Sequence, residues 1–196
     1  MALTLFRRGR QQLPENSTPL PEPGFWQIDP SHSAVELSVR HLGTAKVRGR
    51  FHELAGSIEV ADDPVESHVE VEIKTASLDT GDARRDEHLR SDDFFAVERY
   101  PKATFRSTAL RLLGGDRYGL DGELTVRGVT RPLQLELTYG GVVTDPYGNQ
   151  RIVFSARGEV NREEFGLTWN QVLETGGLLV GTKVRLEIDI EAVREG

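Results

Sequence analysis

The chain has 196 residues, of which 37% are hydrophobic and 28% charged, with a formal net charge of −7 and no cysteine. That length and balance describe a folded domain with a sizeable core rather than a disordered chain, and the acidic total argues against broad attraction to nucleic acid. Without thiols there are no disulfides, thiolate nucleophiles or thiolate metal sites.

Residues 1 to 24, MALTLFRRGRQQLPENSTPLPEPG, combine Pro14, Pro19, Pro21, Pro23 and Gly24 with polar neighbours. Such a segment gains little by packing and is expected as a flexible, Pro-rich arm ahead of one domain, 25 to 196. Its apolar patch, ALTLF, precedes Arg7 and Arg8, the wrong order for a signal peptide. No run approaches the roughly 20 apolar residues that span a bilayer. A cytoplasmic protein is expected. Leu3, Leu5 and Phe6 beside the arginines form a patch suited to transient contact with a membrane surface or a partner, though a frayed terminus is the default at this length.

From Phe25 onward the period is two. Val35, Leu37 and Val39 alternate with Glu36, Ser38 and Arg40, and Val47, Gly49 and Phe51 with Arg48 and Arg50. On that strand Lys46, Arg48 and Arg50 share one face, read as a solvated exterior. The rule continues through Val69, Val71 and Ile73, then Tyr118 to Val126, Leu133 to Tyr139, and Ile152, Phe154 and Ala156. It is cleanest at Val184, Leu186, Ile188 and Ile190. One apolar and one charged face per strand describes an antiparallel sheet with a wet side. About eight or nine strands are expected.

RGVTRP (127–132), DPYGN (145–149) and Gly114–Gly115 carry hairpin-turn chemistry. Residues 82 to 100 break the period and read as one or two short helices, and 161 to 178 as an irregular excursion. Local hairpins make a barrel or a sandwich. Periodicity does not choose between them. The inward set is mostly aliphatic, with few aromatics, which suits a hollow interior as well as a filled one.

The stretch RDEHLRSDDFF (85–95) concentrates Asp86, Glu87, His88, Asp92 and Asp93 before two phenylalanines. On a helix His88 and Asp92 share a face, the spacing of a metal site or an acid–base pair. Arg84, Arg85 and Arg90 neutralise the carboxylates, and no second histidine stands at ligand spacing, so salt bridges and caps are the default and no metal is expected. GLLVGTK (177–183) lacks the residue order and following helix of a phosphate loop. SHSAVEL has no nucleophile-elbow context, so Ser31, His32 and Ser33 read as a strand start or a cavity mouth. The large apolar residues Phe165, Leu167, Trp169, Val172 and Leu173 lie in an otherwise irregular segment. They either plug a barrel end or line the entrance of a lipid-sized pocket.

Several long stretches, in order, resemble the YceI-like family of polyisoprenoid-binding, lipocalin-like proteins. They are WQIDPSHSAVELSVRHL, GRFHELAGSIEV, SLDTGDARRDEHLRSDDFFAVERYPKATFRS, LDGELTVRGVTRPLQLEL, DPYGNQRIVFSARGEVNREEFGL and VRLEIDIEA. The resemblance runs from Trp26 to Val193. It implies an all-β, eight-stranded antiparallel barrel with one or two short helices and a central apolar tunnel. It also implies a long isoprenoid or fatty chain as ligand, no cofactor or metal, and a homodimer among the assemblies to consider. SDDFF is similar to the family's segment beside the barrel mouth, and NREEFGL to the loop opposite it.

On this reading the tunnel is lined by Val35, Leu37, Val39, Phe51, Phe105, Leu124, Val126, Leu135, Phe154 and Ala156. Phe94, Phe95, Leu167 and Trp169 form its rim, with His32, Arg85 and Asn170 beside the headgroup or ordering the mouth. The expected activity is non-enzymatic binding of a polyisoprenoid, such as a prenyl quinone, for carriage, storage or sequestration. Two alternatives stay open. One is an enzyme acting on a tunnel-bound lipid through His88 and a nearby carboxylate. The other is a filled barrel that works through its exterior.

Overall fold

The computed structural model describes residues 18–172 and 177–195. Among the described residues, eleven strand segments form a single sheet that closes on itself. They are β1 (Gly24–Ile28), β2 (Ala34–His41), β3 (Ala45–Phe51), β4 (Leu54–Val60), β5 (His68–Lys74), β6 (Leu78–Asp79), β7 (Lys102–Gly114), β8 (Arg117–Val126), β9 (Val129–Thr144), β10 (Gln150–Asn161) and β11 (Val180–Arg194).

Register reduces the eleven segments to eight walls. β1 and β2 lie end to end along β11, with Ile28 opposite Ala192 and Val35 opposite Ile188. β3 and β4 follow β2 and β1 in the same way, and β6 and β5 follow β3 and β4. Each pair is one bent strand, and every wall pairs with its neighbour in sequence. The result is an up-and-down antiparallel barrel, closed where β11 meets β1 and β2, with the short β6 paired to β3 alone. The bend after β1 is pinned by Ser33, whose hydroxyl donates to the Glu191 carbonyl and accepts from the Glu191 N–H.

The barrel has two unlike ends. One, the hairpin end, carries short connections after β4, β7 and β9. The other, the capped end, carries the long excursions 80–101 and 162–179. Helix α1 (Ala83–Arg90) opens the first of these, and Asp82 caps it by accepting the N–H groups of Arg84 and Arg85. The second begins with a 3₁₀ turn, Arg162–Phe165, ended by Gly166 at φ 77°. Of the one or two helices expected in 82–100, one forms; the remainder is turns.

The inward rows are those of the sequence period, but many of them are half-buried, among them Leu37, Val39, Leu124, Val126, Phe154 and Ala156. Side chains that face inward yet keep accessible surface line a hollow. Residues 18–23 cross the hairpin end, where Thr18 Oγ1 donates to Asp116 Oδ2 at 2.9 Å and Tyr139 Oη donates to the Pro19 carbonyl at 2.8 Å. Leu20 and the prolines are apolar enough to cover an open barrel end. Leu3, Leu5, Phe6 and Leu173 lie outside the described residues.

Candidate functional site

A cavity of about 880 Å³ occupies the barrel and reaches both ends. That is large for a small-molecule site. The barrel is therefore not filled. Its middle is bordered by Val35, Leu37, Phe51, Phe105, Leu124, Leu135 and Ala156, with Phe154 toward the hairpin end and Val39 and Val126 toward the capped end. Strand alternation brings these residues together from six of the eight walls.

At the capped end the two excursions face each other. Phe94, Phe165 and Leu167 are buried as one cluster, with Phe95 and Trp169 packed against it. Phe95 also meets Phe51 edge-on, ring centres 5.9 Å apart. Phe94, Phe95, Leu167 and Trp169 all border the cavity. Arg127, on the turn between β8 and β9, ties the excursions together by donating to the Gly166 and Asp92 carbonyls, both at 2.8 Å.

Arg162 is the structural centre of this closure. It is buried and donates from Nε to the Gly181 carbonyl at 2.9 Å and from Nη1 to the Trp169 carbonyl at 3.0 Å, with further bonds to the Leu167 and Val180 carbonyls. Desolvation pulls its pKa below the ordinary arginine value. In the sequence Arg162 follows a charged strand and carries the signature of a surface residue.

The polar candidates separate. Arg85 borders the cavity, its Nε on Thr80 Oγ1 at 2.7 Å and its Nη2 on the Thr80 carbonyl at 2.8 Å. Arg84 borders it as well. His32 does not. It is exposed at the bend after β1, with Nδ1 2.9 Å from Asp29 Oδ2. Asn170 does not border the cavity either. Its amide brackets Val180, donating to the carbonyl at 2.7 Å and accepting the N–H at 3.0 Å, which ties the excursion to β11.

His88 borders the cavity, but its Nε2 lies 2.8 Å from Asp93 Oδ2. The sequence spacing had paired it with Asp92, which instead meets Arg99 at 3.0 Å. The helix stops at Arg90, so the i+4 geometry no longer applies there. Asp86 is buried and accepts from the Thr80 N–H and hydroxyl. Among the described residues, no three His, Asp or Glu side chains are grouped to hold a metal ion.

The hairpin end was not legible in advance. Leu20, Pro21, Pro23, Tyr118 and Tyr139 border the cavity there. Burial pushes the Tyr139 phenol up to about 12, so it remains the donor to Pro19. Among the described residues, no helix is long and apolar enough to cross a membrane.

Residues 26–192 match the model of the YceI-like domain. A UPF0312 protein of Photorhabdus laumondii is 37% identical over 172 residues, covering 86% of this chain and 84% of its own length. The structure of Burkholderia cenocepacia BcnA superimposes with a TM-score of 0.73 at 21% identity, covering 84% of this chain and 98% of that one. A polyisoprenoid binding domain from Saccharophagus degradans, implicated in plant cell wall breakdown, superimposes with a TM-score of 0.67 at 16% identity, covering 89% and 100%. At such identities the two structures speak to the fold.

Proposed function

The chain belongs to the YceI-like domain family, and from that premise we propose that its barrel binds a long-chain polyisoprenoid or related lipid, such as a prenyl quinone, for carriage, storage or sequestration. The observation that carries the reading is the cavity of about 880 Å³, walled by aliphatic and aromatic side chains along the barrel. The likeness to a domain described as polyisoprenoid binding agrees with it. Burial is worth about 0.8 kcal/mol per CH₂, against about 1 kcal/mol for a headgroup hydrogen bond. The chain therefore sets affinity and the head sets orientation.

The head lies at the capped end, beside Arg84 and Arg85. The tail runs past Phe105 and Leu135 toward Phe154. In this reading His88 is a packing element of the closure rather than an acid or base acting on the lipid. Phe94, Phe95, Leu167 and Trp169 form the gate.

Native mass spectrometry of freshly purified protein, followed by organic extraction, tests the proposal. A bound prenyl lipid is expected, together with its loss in a folded Phe154→Asp variant. Protein that carries no lipid and takes up none when a prenyl quinone is added would overturn it.

A further inference from the structure

The outer wall beside the capped end is basic, although the whole chain carries a net charge of −7. Strand register makes this concrete. In the row furthest from the barrel end, Arg50, Glu36, Glu187 and Arg157 stand side by side, and charge balances. One step closer the row reads Arg48, Ser38, Arg185, Glu159. Closer still, Arg40 stands directly opposite Lys46, and Lys183 follows Arg185 on β11. All five of these nearer cations are exposed. Among the described residues of these nearer rows the one carboxylate beside them is Glu159, which already serves both Lys183, at 2.8 Å, and Arg185, at 3.8 Å. Like charges placed directly across a ladder destabilise it, so this arrangement calls for an external counter-charge.

Two further features share the location. The ladder between β11 and β2 breaks between Val180 and Val184. A shallow depression of about 260 Å³ opens there on the outside, bordered by Arg40, Lys46, Glu159, Lys183 and Arg185. Just beyond it the tip of the barrel is apolar. Leu42 is 52% exposed, Leu178 45% and Val172 79%. These residues are joined, since the Leu42 N–H donates to the Leu179 carbonyl and Val172 bridges Leu178. Leu179 and Val180 in turn border the internal cavity. Among the described residues of the same end, the acidic side chains of Asp82, Glu87, Asp92, Asp93, Glu98, Glu163 and Glu164 belong to the two excursions rather than to β2, β3 or β11.

We propose that this face docks on an anionic lipid bilayer, with Leu42, Val172 and Leu178 entering the interface, the cations along β2, β3 and β11 lying on the headgroups, and a lipid phosphate seated in the depression. Apolar tip and cationic flank are what a peripheral membrane surface needs together, because hydrophobic insertion and attraction to anionic lipid add. The docked orientation turns the cavity border at Leu179 and Val180 toward the bilayer. The claim stands on the outer surface and does not depend on what the cavity holds.

Co-sedimentation of the full chain with vesicles tests it, comparing phosphatidylcholine alone with phosphatidylcholine and phosphatidylglycerol in equal parts. Binding is expected only to the anionic vesicles, weakening as salt rises. Reversing Lys46→Glu and Arg48→Glu together should weaken it roughly tenfold or more. Leu42→Ser with Val172→Ser should weaken it at every salt concentration. All four positions are exposed, so the circular dichroism spectrum should not change. Binding to neither vesicle, equal binding to both, or full binding by either double variant would overturn the proposal. A barrel found empty of lipid would leave it untouched.

Discussion

The indole of Trp169 stands edge-on to the imidazole of His88, with ring centres 4.6 Å apart and planes at 89°. The two residues belong to excursions separated by the whole β7–β10 meander, and Phe94 completes the trio at 5.1 Å from His88 and 5.4 Å from Trp169. Aromatic pairs in this geometry contribute about 0.5–1.5 kcal/mol beyond their area. A double-mutant cycle of His88→Ala and Trp169→Ala should therefore show a coupling of that size in urea unfolding. On the proposed function, both single variants should also release bound lipid faster, because the closure at the capped end is loosened. Additive effects on stability would mean that the rings touch without holding the closure.

Arg162 carries a sharper expectation. One planar guanidinium gathers the carbonyls of Leu167, Trp169, Val180 and Gly181. Arg162→Met removes every one of those donors at once and should cost about 2–4 kcal/mol. Arg162→Lys should recover less than half, since a single ammonium cannot span four acceptors set in a fork. Full recovery by lysine would reduce the site to a simple buried charge.

Much of the barrel was legible because alternation is a direct consequence of the pleat. Val184, Leu186, Ile188 and Ile190 face the cavity for the same reason that Lys183, Arg185 and Glu187 face water. The hollow was not legible from alternation, because Leu37 and Leu135 look alike in sequence whether they meet another side chain or empty space; only the family resemblance implied it. The paired bends were hidden too: nothing in the alternation shows that β1 and β2 are halves of one bent wall until register joins them along β11. At the excursions, residue type singled out Phe94 and Trp169, which border the cavity at the capped end, whereas the buried donor Arg162 had the sequence signature of a surface charge. His32 and Asn170 show the limit of polarity as a guide, since both satisfy nearby backbone or side chains rather than the cavity.

Gly122 marks a position where the wall tolerates no side chain. A methyl built there would stand 2.4 Å from Phe105 Cζ and 2.6 Å from the Arg106 carbonyl. Phe105 lies over the glycine, which lets the ring sit against the wall instead of filling the cavity. Gly122→Ala should lower stability by about 1–3 kcal/mol and push the ring inward, reducing lipid uptake. Adding Phe105→Leu should recover part of the loss but not all, because the backbone carbonyl stays in place. An unchanged urea midpoint for Gly122→Ala would show that the wall yields more easily than its register suggests.

The bend after β1 is held by charge, and that sets an acid limit. Arg151 joins Asp29 at 2.7 Å, Asp145 at 3.0 Å and Glu191 at 3.4 Å, linking three separate turns and strands. The guanidinium of Arg151, then His32, holds the Asp29 carboxyl well below the usual carboxylate range. The Asn149 side chain, with backbone N–H groups and Arg151, pulls Asp145 down to about 2. Both folded values lie below the unfolded value near 3.9, so between them the unfolded chain binds more protons. The network's contribution is then fully present above about pH 5 and is lost as pH falls through about 4 toward 2. The urea midpoint should be level from neutral pH to about 5 and drop steeply below that. Asp29→Asn with Asp145→Asn should lower the midpoint at neutral pH and flatten the acid drop. A double variant that keeps the wild-type acid slope would place the acid sensitivity elsewhere in the barrel.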